Sequence, residues 1–242
     1  MRFINSVCSK NQLSKHPIIS SSAQSFRTVS WFDAFVVNRG LLHARIAVPL
    51  AAKSSGRNAL LIDVFTTHLM PSGGQLNAIV PGAAYLSELI SSQQRAQMDE
   101  VVTRVRAAQE EHGADAVVAL GDFNIGLKPA AVGDDQRNVR YMHLAASFAQ
   151  LTPPLRDVMG PAAGDDPTSH RWAHTFGHVD AAGECAEDYI TARAMRGKRV
   201  VEDFCFSSIA ALKSSVEALP IRKGLFASDH HALTAVLDLS EL

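Results

Sequence analysis

Six polar residues stand where an apolar run of the sequence meets a more polar segment. They are His68, Asp122, Asn124, Asp188, Asp229 and His230. They come from four separate segments and supply carboxylates, a carboxamide and imidazoles. Hydrolysis of a phosphate ester with Mg²⁺ needs hard oxygen ligands, a histidine to move a proton, and donors for the phosphoryl oxygens. The combination therefore predicts chemistry on a phosphate ester.

Each segment taken singly also has a structural explanation. Asp and Asn favour turns, so "GDFN" (121–124) is also what a strand-ending turn looks like. A histidine after two threonines is often a hydrogen-bonded residue without a catalytic role, and "SDHH" (228–231) is also a suitable cap. The functional interpretation depends on the four segments occurring together.

A strand is the element that would mount these groups rigidly. The segment "VVALGDFNI" (117–125) is an apolar run that ends in Asp122, Phe123 and Asn124. Residues two apart on a strand point the same way, so Asp122 and Asn124 are expected on one face and Phe123 in the core.

The rest of the pattern predicts an α/β or α+β layered domain. Strands are predicted at 40–48, 58–69 and 114–124, and later in "EDYITAR", "VVEDFCFSS" and "HHALTAVLDL". Helical spacing of apolar residues covers about 85–111 and 138–151. No internal repeat or linker divides the sequence, so a single domain over 1–242 is expected, with 1–12 as a possible extension outside it.

Composition indicates an ordinary globular protein and argues against a strongly basic nucleic-acid binder. The 242 residues are 47% apolar and 19% charged, with a net charge of -1. The cysteines are Cys8, Cys185 and Cys205, without a CxxC pair, which predicts free thiols rather than a disulfide framework or a zinc site. Free thiols are typical of a reducing compartment, and a cytoplasmic location is expected.

Two further features bear on location. No apolar stretch reaches the roughly 18 to 20 residues of a membrane-spanning helix. The first 32 residues are rich in Ser and lack acidic residues, which is also typical of an organellar transit peptide. The alternative is that "LSKHPIIS" (13–20) already enters the fold as a strand.

The motifs "TTHL", "GDFN", "DYI" and "ASDHHAL", in that order, resemble those of the endonuclease/exonuclease/phosphatase superfamily, whose fold is DNase-I-like. This superfamily includes neutral sphingomyelinases, inositol polyphosphate 5-phosphatases and abasic-site nucleases. The segments "NRGLLHARI", "RAQMDEVV", "PLRDVM" and "LSKHPIIS" are also similar to family segments, so the resemblance covers about 13–239. It implies two packed β-sheets flanked by helices, a four-layer sandwich.

The resemblance also implies roles for the polar residues. His68 matches the histidine that contacts the scissile phosphate, and Asn124 the amide that holds a phosphoryl oxygen. Asp122 matches the carboxylate that orients the attacking water near the metal. The metal implied is Mg²⁺, with Mn²⁺ as the substitute.

The last two segments complete the implied site. Asp229 matches an acidic residue beside the metal, and His230 the histidine that assists proton transfer. Asp188 matches the carboxylate that hydrogen-bonds a catalytic histidine.

One family feature is missing from the sequence. Members open with an Asn-bearing strand and a Gln-Glu segment whose Glu is a principal Mg²⁺ ligand, whereas the first glutamate here is Glu88. The chain therefore resembles an N-terminally truncated member. Two interpretations follow, an active hydrolase that obtains this ligand otherwise and an inactive remnant or interaction module.

The substrate stays open between a phospholipid and a nucleic acid or inositol phosphate. The segment "PSGGQLNAIVPGAA" (71–84) is apolar and uncharged. Such a loop suits a lipid headgroup or membrane surface better than a DNA backbone, so a sphingomyelinase-type phosphodiesterase is the preferred expectation and a nuclease the alternative.

Overall fold

The structure is a computed structural model that describes most of the chain. The described residues are 3–5, 11–28, 39–50, 57–71, 87–127, 135–158, 201–217, 220–222, 225–226, 232–240 and 242. The helices in this part are α1 (Ser87–His112) and α2 (Asp135–Ala149). The strands are β1 (Phe3–Asn5), β2 (Asn11–Leu13), β3 (Ile18–Ser25), β4 (Gly40–Pro49), β5 (Ala59–His68), β6 (Ala116–Leu127), β7 (Arg156–Asp157), β8 (Val201–Ser207), β9 (Ala211–Glu217), β10 (Pro220–Arg222), β11 (Leu225–Phe226) and β12 (Ala232–Leu237).

Strands β3 to β8 form a six-stranded mixed sheet in the order β3-β4-β5-β6-β8-β7. Neighbouring strands are antiparallel except β5 and β6, which are parallel. A parallel pair needs a long crossover, and α1 lies in the connection between these two strands. Because β5 and β6 run the same way, their ladder ends with His68 of β5 beside Asp122 of β6.

The hydrophobic core joins both helices to this sheet. The helices contribute Met98, Val101, Val105, Leu144 and Phe148, and the strands contribute Leu41, Phe65, Val117, Phe123, Phe204 and Phe206. Phe123 makes edge-on ring contacts with Phe148, Phe204 and Phe206 at centroid distances of 6.5, 6.1 and 5.9 Å. The expectation that Phe123 anchors the end of its strand in the core is therefore confirmed.

A second, two-stranded sheet pairs β9 with β12, and β1–β2 and β10–β11 are short antiparallel pairs. Strand β9 has no counterpart among the predicted strands, because its segment "ALKSSVE" has no apolar alternation; pairing with β12 makes it a strand. The mixed sheet, second sheet and two helices confirm the α/β class. In the part of the chain described, no helix is long and apolar enough to cross a membrane.

The predicted elements agree closely with β4, β5, β6, β8, β12 and both helices. The main differences are at the ends: β6 continues to Leu127 and α2 begins at Asp135. The predicted strand "EDYITAR" and most of the segment 71–84 lie outside the described residues. The expectation of a single domain over 1–242 stays a prediction.

Candidate active site

The predicted site begins where the parallel ladder between β5 and β6 ends. His68 and Asp122 are the last register pair of this parallel ladder. The Nε2 atom of His68 lies 3.2 Å from Oδ2 of Asp122, and the carboxylate is buried whereas the imidazole is partly exposed. Beyond the ladder, the N–H of Leu69 donates to the carbonyl oxygen of Asp122 at 2.9 Å. Strand pairing thus places an imidazole beside a buried carboxylate.

Gly121 allows this close approach. Its φ is 140°, and a Cβ atom at this position would collide with the backbone carbonyl of Thr67 on β5. The side chain of Thr67 is itself buried and donates a hydrogen bond to the carbonyl oxygen of Gly40 at 3.1 Å. Only glycine satisfies both the backbone angle and the space at residue 121.

Asn124 completes the local geometry from the other side of the carboxylate. Its backbone N–H donates to Oδ1 of Asp122 at 2.9 Å, and its Nδ2 donates to Oδ2 at 3.2 Å. The φ of Asn124 is 51°, in the left-handed region that Asn tolerates better than most residues. Asp122 and Asn124 do converge, but regular strand alternation is the wrong reason: a left-handed turn residue folds the amide back onto the carboxylate.

The carbonyl oxygen of Leu69 connects Asn124 to a residue that the site prediction did not include. It accepts a hydrogen bond from Nδ2 of Asn124 at 2.7 Å and another from Nη1 of Arg39 at 2.8 Å. Arg39 is buried, so its positive charge is held within a few ångströms of the site. The available signal was the "NRG" of the family-like strand "NRGLLHARI", which the sequence analysis did not use for the site.

Two glutamines of α1 hold the segments that leave the ladder. Nε2 of Gln94 donates toward the carbonyl oxygens of Met70, Phe123 and Asn124 at 2.9, 3.2 and 2.8 Å. Oε1 of Gln97 accepts from the N–H of Met70 at 3.0 Å. Both side chains are fully buried. Neither was predicted as a site residue: Gln97 lies in the family-like segment "RAQMDEVV", which was not used for the site, and Gln94 precedes that segment without a specific sequence signal.

The contact with Asp122 favours one protonation state of His68. An ionised carboxylate only accepts, so the 3.2 Å approach of Nε2 to Oδ2 of Asp122 favours a proton on Nε2. The lone pair of a neutral imidazole is then on Nδ1. Asp122 therefore acts on His68 as a carboxylate that fixes the tautomer and the ring orientation.

The described residues do not by themselves fit a magnesium ion. Asp122 is a hard oxygen donor, but its carboxylate already accepts two hydrogen bonds from Asn124 and faces the imidazole of His68. Mg²⁺ is held by one or two carboxylates together with waters and substrate phosphates. Within the described ranges, no three His, Cys, Asp or Glu side chains cluster as a metal site would require. The predicted Mg²⁺ or Mn²⁺ and the assignment of Asp122 as a ligand stay predictions.

The structure brings together three of the predicted site residues, namely His68, Asp122 and Asn124. The other three, Asp188, Asp229 and His230, lie outside the described residues, and their assignments stay predictions.

A second charged cluster lies on β4 and β5. Asp63 is fully buried and accepts hydrogen bonds from Nε and Nη2 of Arg45, both at 2.9 Å, while Nε2 of His43 lies 3.0 Å from its Oδ1. The ring of His43 stacks on Phe65 with centroids 4.4 Å apart. Burial alone would raise the pKa of Asp63, but the hydrogen bonds and positive charges of His43 and Arg45 outweigh it and hold the pKa below its ordinary value.

Two more buried titratable groups are structural. Burial, and then the charge of Asp157, raises the pKa of the Cys205 thiol to about 12, so the thiol is protonated and unreactive near neutral pH. Burial also raises the pKa of Tyr141, whose hydroxyl donates to Oδ2 of Asp157 at 2.8 Å. Neither group is suited to catalysis.

Solved structures of TDP2 share the fold. A truncated TDP2 from Caenorhabditis elegans aligns with 92% of this chain and 68% of its own, at 18% identity and a TM-score of 0.50. A selenomethionine form of TDP2 from the same organism aligns with 92% of this chain and 51% of its own, at 18% identity and a TM-score of 0.52. D. rerio TDP2, complexed with a single-strand DNA product, aligns with 90% of this chain and 66% of its own, at 14% identity and a TM-score of 0.50.

The chain thus spans between about half and two thirds of these TDP2 chains. At this level of identity the likeness shows the fold alone, and the chain shares the α/β fold of these TDP2 structures. No protein-family model matches the sequence, and no curated protein matches it either.

Proposed function

We propose that this chain is a phosphodiester hydrolase whose active site contains His68, Asp122 and Asn124. The observation that carries the proposal is the convergence of His68 and Asn124 on the buried Asp122 carboxylate, where the ladder between two parallel strands ends. The TDP2-like fold supports it, because the three residues also match the superfamily's site motifs.

Each side chain has a role that its contacts support. Asp122 orients the attacking water and holds His68 with Nε2 protonated, so the lone pair on Nδ1 can accept a proton. Asn124 is proposed to donate from Nδ2 to a phosphoryl oxygen, where negative charge grows in the transition state, by giving up its 3.2 Å hydrogen bond to Oδ2 of Asp122 when substrate binds. The buried guanidinium of Arg39 adds positive charge on the same side.

The remaining roles come from the sequence alone. His230 is proposed as the second proton carrier and Asp188 as its orienting partner. Asp229 is proposed as a carboxylate for a Mg²⁺ ion, which would polarise the phosphate and activate water. No step in the roles of the described residues depends on this metal.

A nucleic-acid ester is the first substrate class to test. The D. rerio TDP2 structure contains a single-strand DNA product, and its fold is shared by this chain. A phospholipid of the sphingomyelin type is the second class, because the segment 71–84 is apolar and uncharged. Both substrates contain a phosphodiester. The polar or apolar character of the residues around the site therefore determines which of the two binds.

The test uses the purified 242-residue chain with 5 to 10 mM Mg²⁺, at about the concentrations that saturate weak protein sites. An end-labelled single-stranded oligonucleotide and sphingomyelin vesicles are the two substrates. Chelation by EDTA is expected to abolish turnover, and His230→Ala to lower it by about 10² to 10⁴. A mock purification from cells that lack the gene is the background control for contaminating hydrolases.

Each outcome has a definite meaning. Turnover of only the oligonucleotide supports a nuclease and removes the phospholipid expectation, and the reverse pattern does the opposite. No turnover of either substrate above the mock-purification background, by a chain that is folded by circular dichroism, would favour the non-catalytic alternative of an interaction module.

A further inference from the structure

The parallel ladder of β5 and β6 ends at His68 and Asp122, but the chain does not leave the interior there. Leu69 and Met70 after β5 are buried, and so are Phe123 and Asn124. Buried backbone groups need hydrogen-bond partners, and past the last register pair the ladder no longer supplies all of them.

Gln94 of α1 supplies partners to both segments at once. Its Nε2 lies 2.8 Å from the carbonyl oxygen of Asn124, 2.9 Å from that of Met70 and 3.2 Å from that of Phe123. One amide nitrogen carries two hydrogens, so the three carbonyls share them. A single buried side chain therefore ties the segment after His68 to the segment that carries Asn124.

The donors and acceptors around the Gln94 amide fix its orientation. The three carbonyl oxygens can only accept, so they must face the Nε2 end. On the other side, Nη1 of Arg140 on α2 lies 3.4 Å from Oε1 of Gln94, and a guanidinium can only donate. Nη2 of Arg140 also donates to Oγ of Ser91 at 2.8 Å, one turn earlier on α1. A flipped amide would place its N–H groups against the guanidinium of Arg140, which also donates, and its oxygen against the three carbonyl oxygens, which also accept.

From these contacts we infer that Gln94 is a positioning residue of the active site. It sets the distance between His68 and Asn124 by linking the segment that follows His68 to the segment that carries Asn124. The inference rests on the proposed hydrolase function. Gln94 is not one of the three proposed site residues. It acts by holding the backbone carbonyl groups of Met70, Phe123 and Asn124.

The conformation of Asn124 explains why positioning is needed. A residue with φ of 51° is in a sparsely populated region, and it persists only where its surroundings hold it. The N–H of Asn124 is held by Asp122, and its carbonyl oxygen is held by Gln94. Loss of the Gln94 donor releases one of these two restraints, and the carboxamide that should meet the phosphate is no longer fixed.

Gln94→Glu is the sharpest variant, because it keeps the shape and removes the N–H donors. Burial and the three carbonyl oxygens raise the pKa of the introduced carboxyl group, whereas the guanidinium of Arg140 lowers it; as the pH falls and the group takes up a proton, it regains one donor. We expect kcat to fall by about 10²-fold at pH 8 with KM changed less than about twofold, since misplacement of a catalytic group by an ångström has that effect. The ratio of variant to parent kcat should rise again as the pH is lowered.

Gln109→Glu is the matched control. Gln109 is on the same helix, and its Nε2 donates to one carbonyl, that of Pro153, away from the site. Its replacement should leave kcat, KM and the pH profile at parental values. If Gln94→Glu does not fold, Gln94→Met keeps the length of the side chain without a charge and is expected to show the same loss of kcat without recovery at lower pH.

Amide hydrogen exchange separates this inference from the proposed function. The N–H groups of Leu69 and Asn124, which donate to Asp122, should exchange at least tenfold faster in the Gln94 variants, while exchange within β4 stays unchanged. Parental exchange at both sites would overturn the positioning role even if kcat falls. Parental kcat in a Gln94 variant would overturn it as well. A parent without turnover would refute the hydrolase, and the exchange data would still decide whether Gln94 holds these segments.

Discussion

Asn124 binds the carboxylate of Asp122 with two of its own donors, the backbone N–H to Oδ1 and the side-chain Nδ2 to Oδ2. The two residues are separated only by Phe123, whose ring is buried in the core. A carboxylate held at both oxygens cannot rotate, so its orientation toward His68 is fixed before any substrate binds. This preorganisation is where electrostatic catalysis gains most.

Replacement of Asn124 should separate its backbone role from its side-chain role. Asn124→Ala places a Cβ residue without a side-chain hydrogen bond at φ of 51°, which costs about 1 to 2 kcal/mol of stability. Asn124→Gly removes the same carboxamide but accepts the backbone angle. Urea denaturation should find the Gly variant more stable than the Ala variant by about 1 kcal/mol.

Both Asn124 variants should lose turnover, by about 10² to 10³ in kcat, because a transition-state donor is missing in each. A steady-state assay on the substrate that the parent cleaves gives the measurement. Parental kcat in Asn124→Gly would mean that the carboxamide has no catalytic role and that Asn124 is present only for its backbone conformation.

Gly121 and Gly113 form a natural comparison of steric and conformational effects. Both have positive φ, 140° and 58°, but a Cβ on Gly121 would collide with the backbone of Thr67, whereas no atom lies within 4 Å of a Cβ on Gly113. Gly121→Ala should lower the free energy of unfolding by about 3 kcal/mol or more, because strain and overpacking add. Gly113→Ala should cost only about 1 to 2 kcal/mol, measured by thermal or urea unfolding. Equal losses in the two variants would contradict this account.

The sequence predicts the strands of this site better than it predicts their geometry. Apolar runs that end in polar residues locate β5 and β6, and Phe123 is identified as a core residue by alternation. The contact between His68 and Asp122 depends on parallel pairing and on register, which a single sequence does not encode locally.

The supporting residues show the same limit more clearly. Gln94 and Gln97 look like ordinary polar residues of a helix, and only the packing of α1 places them beneath Met70. The left-handed conformation of Asn124 also escapes prediction, because Asn is common in many kinds of turn. Tertiary contacts of this kind decide the site, and propensity and periodicity carry no information about them.

Asp63 should make stability depend on pH in acid. Its carboxyl has a lowered pKa in the folded chain, so between the folded and unfolded pKa values the unfolded state binds more protons. The stabilising contribution is therefore complete above the unfolded pKa of about 3.9 and is lost as the pH falls through the lower folded value. Urea denaturation at intervals from pH 6 to pH 2.5 should show the free energy of unfolding falling most steeply below pH 4.

Asp63→Asn tests whether this carboxyl is responsible. It leaves the partly buried guanidinium of Arg45 without its carboxylate and should cost about 3 kcal/mol at pH 7. The decline below pH 4 should become shallower than in the parent. A decline as steep as the parent's would assign the acid sensitivity to other carboxylates.

His68 and His143 provide the comparison that decides the catalytic assignment. Both imidazoles approach a carboxylate, His68 that of Asp122 at 3.2 Å and His143 that of Asp99 at 2.8 Å. Asp122 is buried, whereas His143 and Asp99 are 39% and 57% exposed and join α2 to α1. His68→Ala should lower kcat by about 10² to 10⁴ through loss of a proton carrier. The free energy of unfolding of this variant is measured as well, so that a loss of folding is not mistaken for a loss of catalysis. His143→Ala should leave kcat unchanged and alter the free energy of unfolding by less than about 1 kcal/mol, as expected for an exposed pair. Parental turnover in His68→Ala, or an equal loss in both variants, would show that the imidazole beside Asp122 does not take part in catalysis.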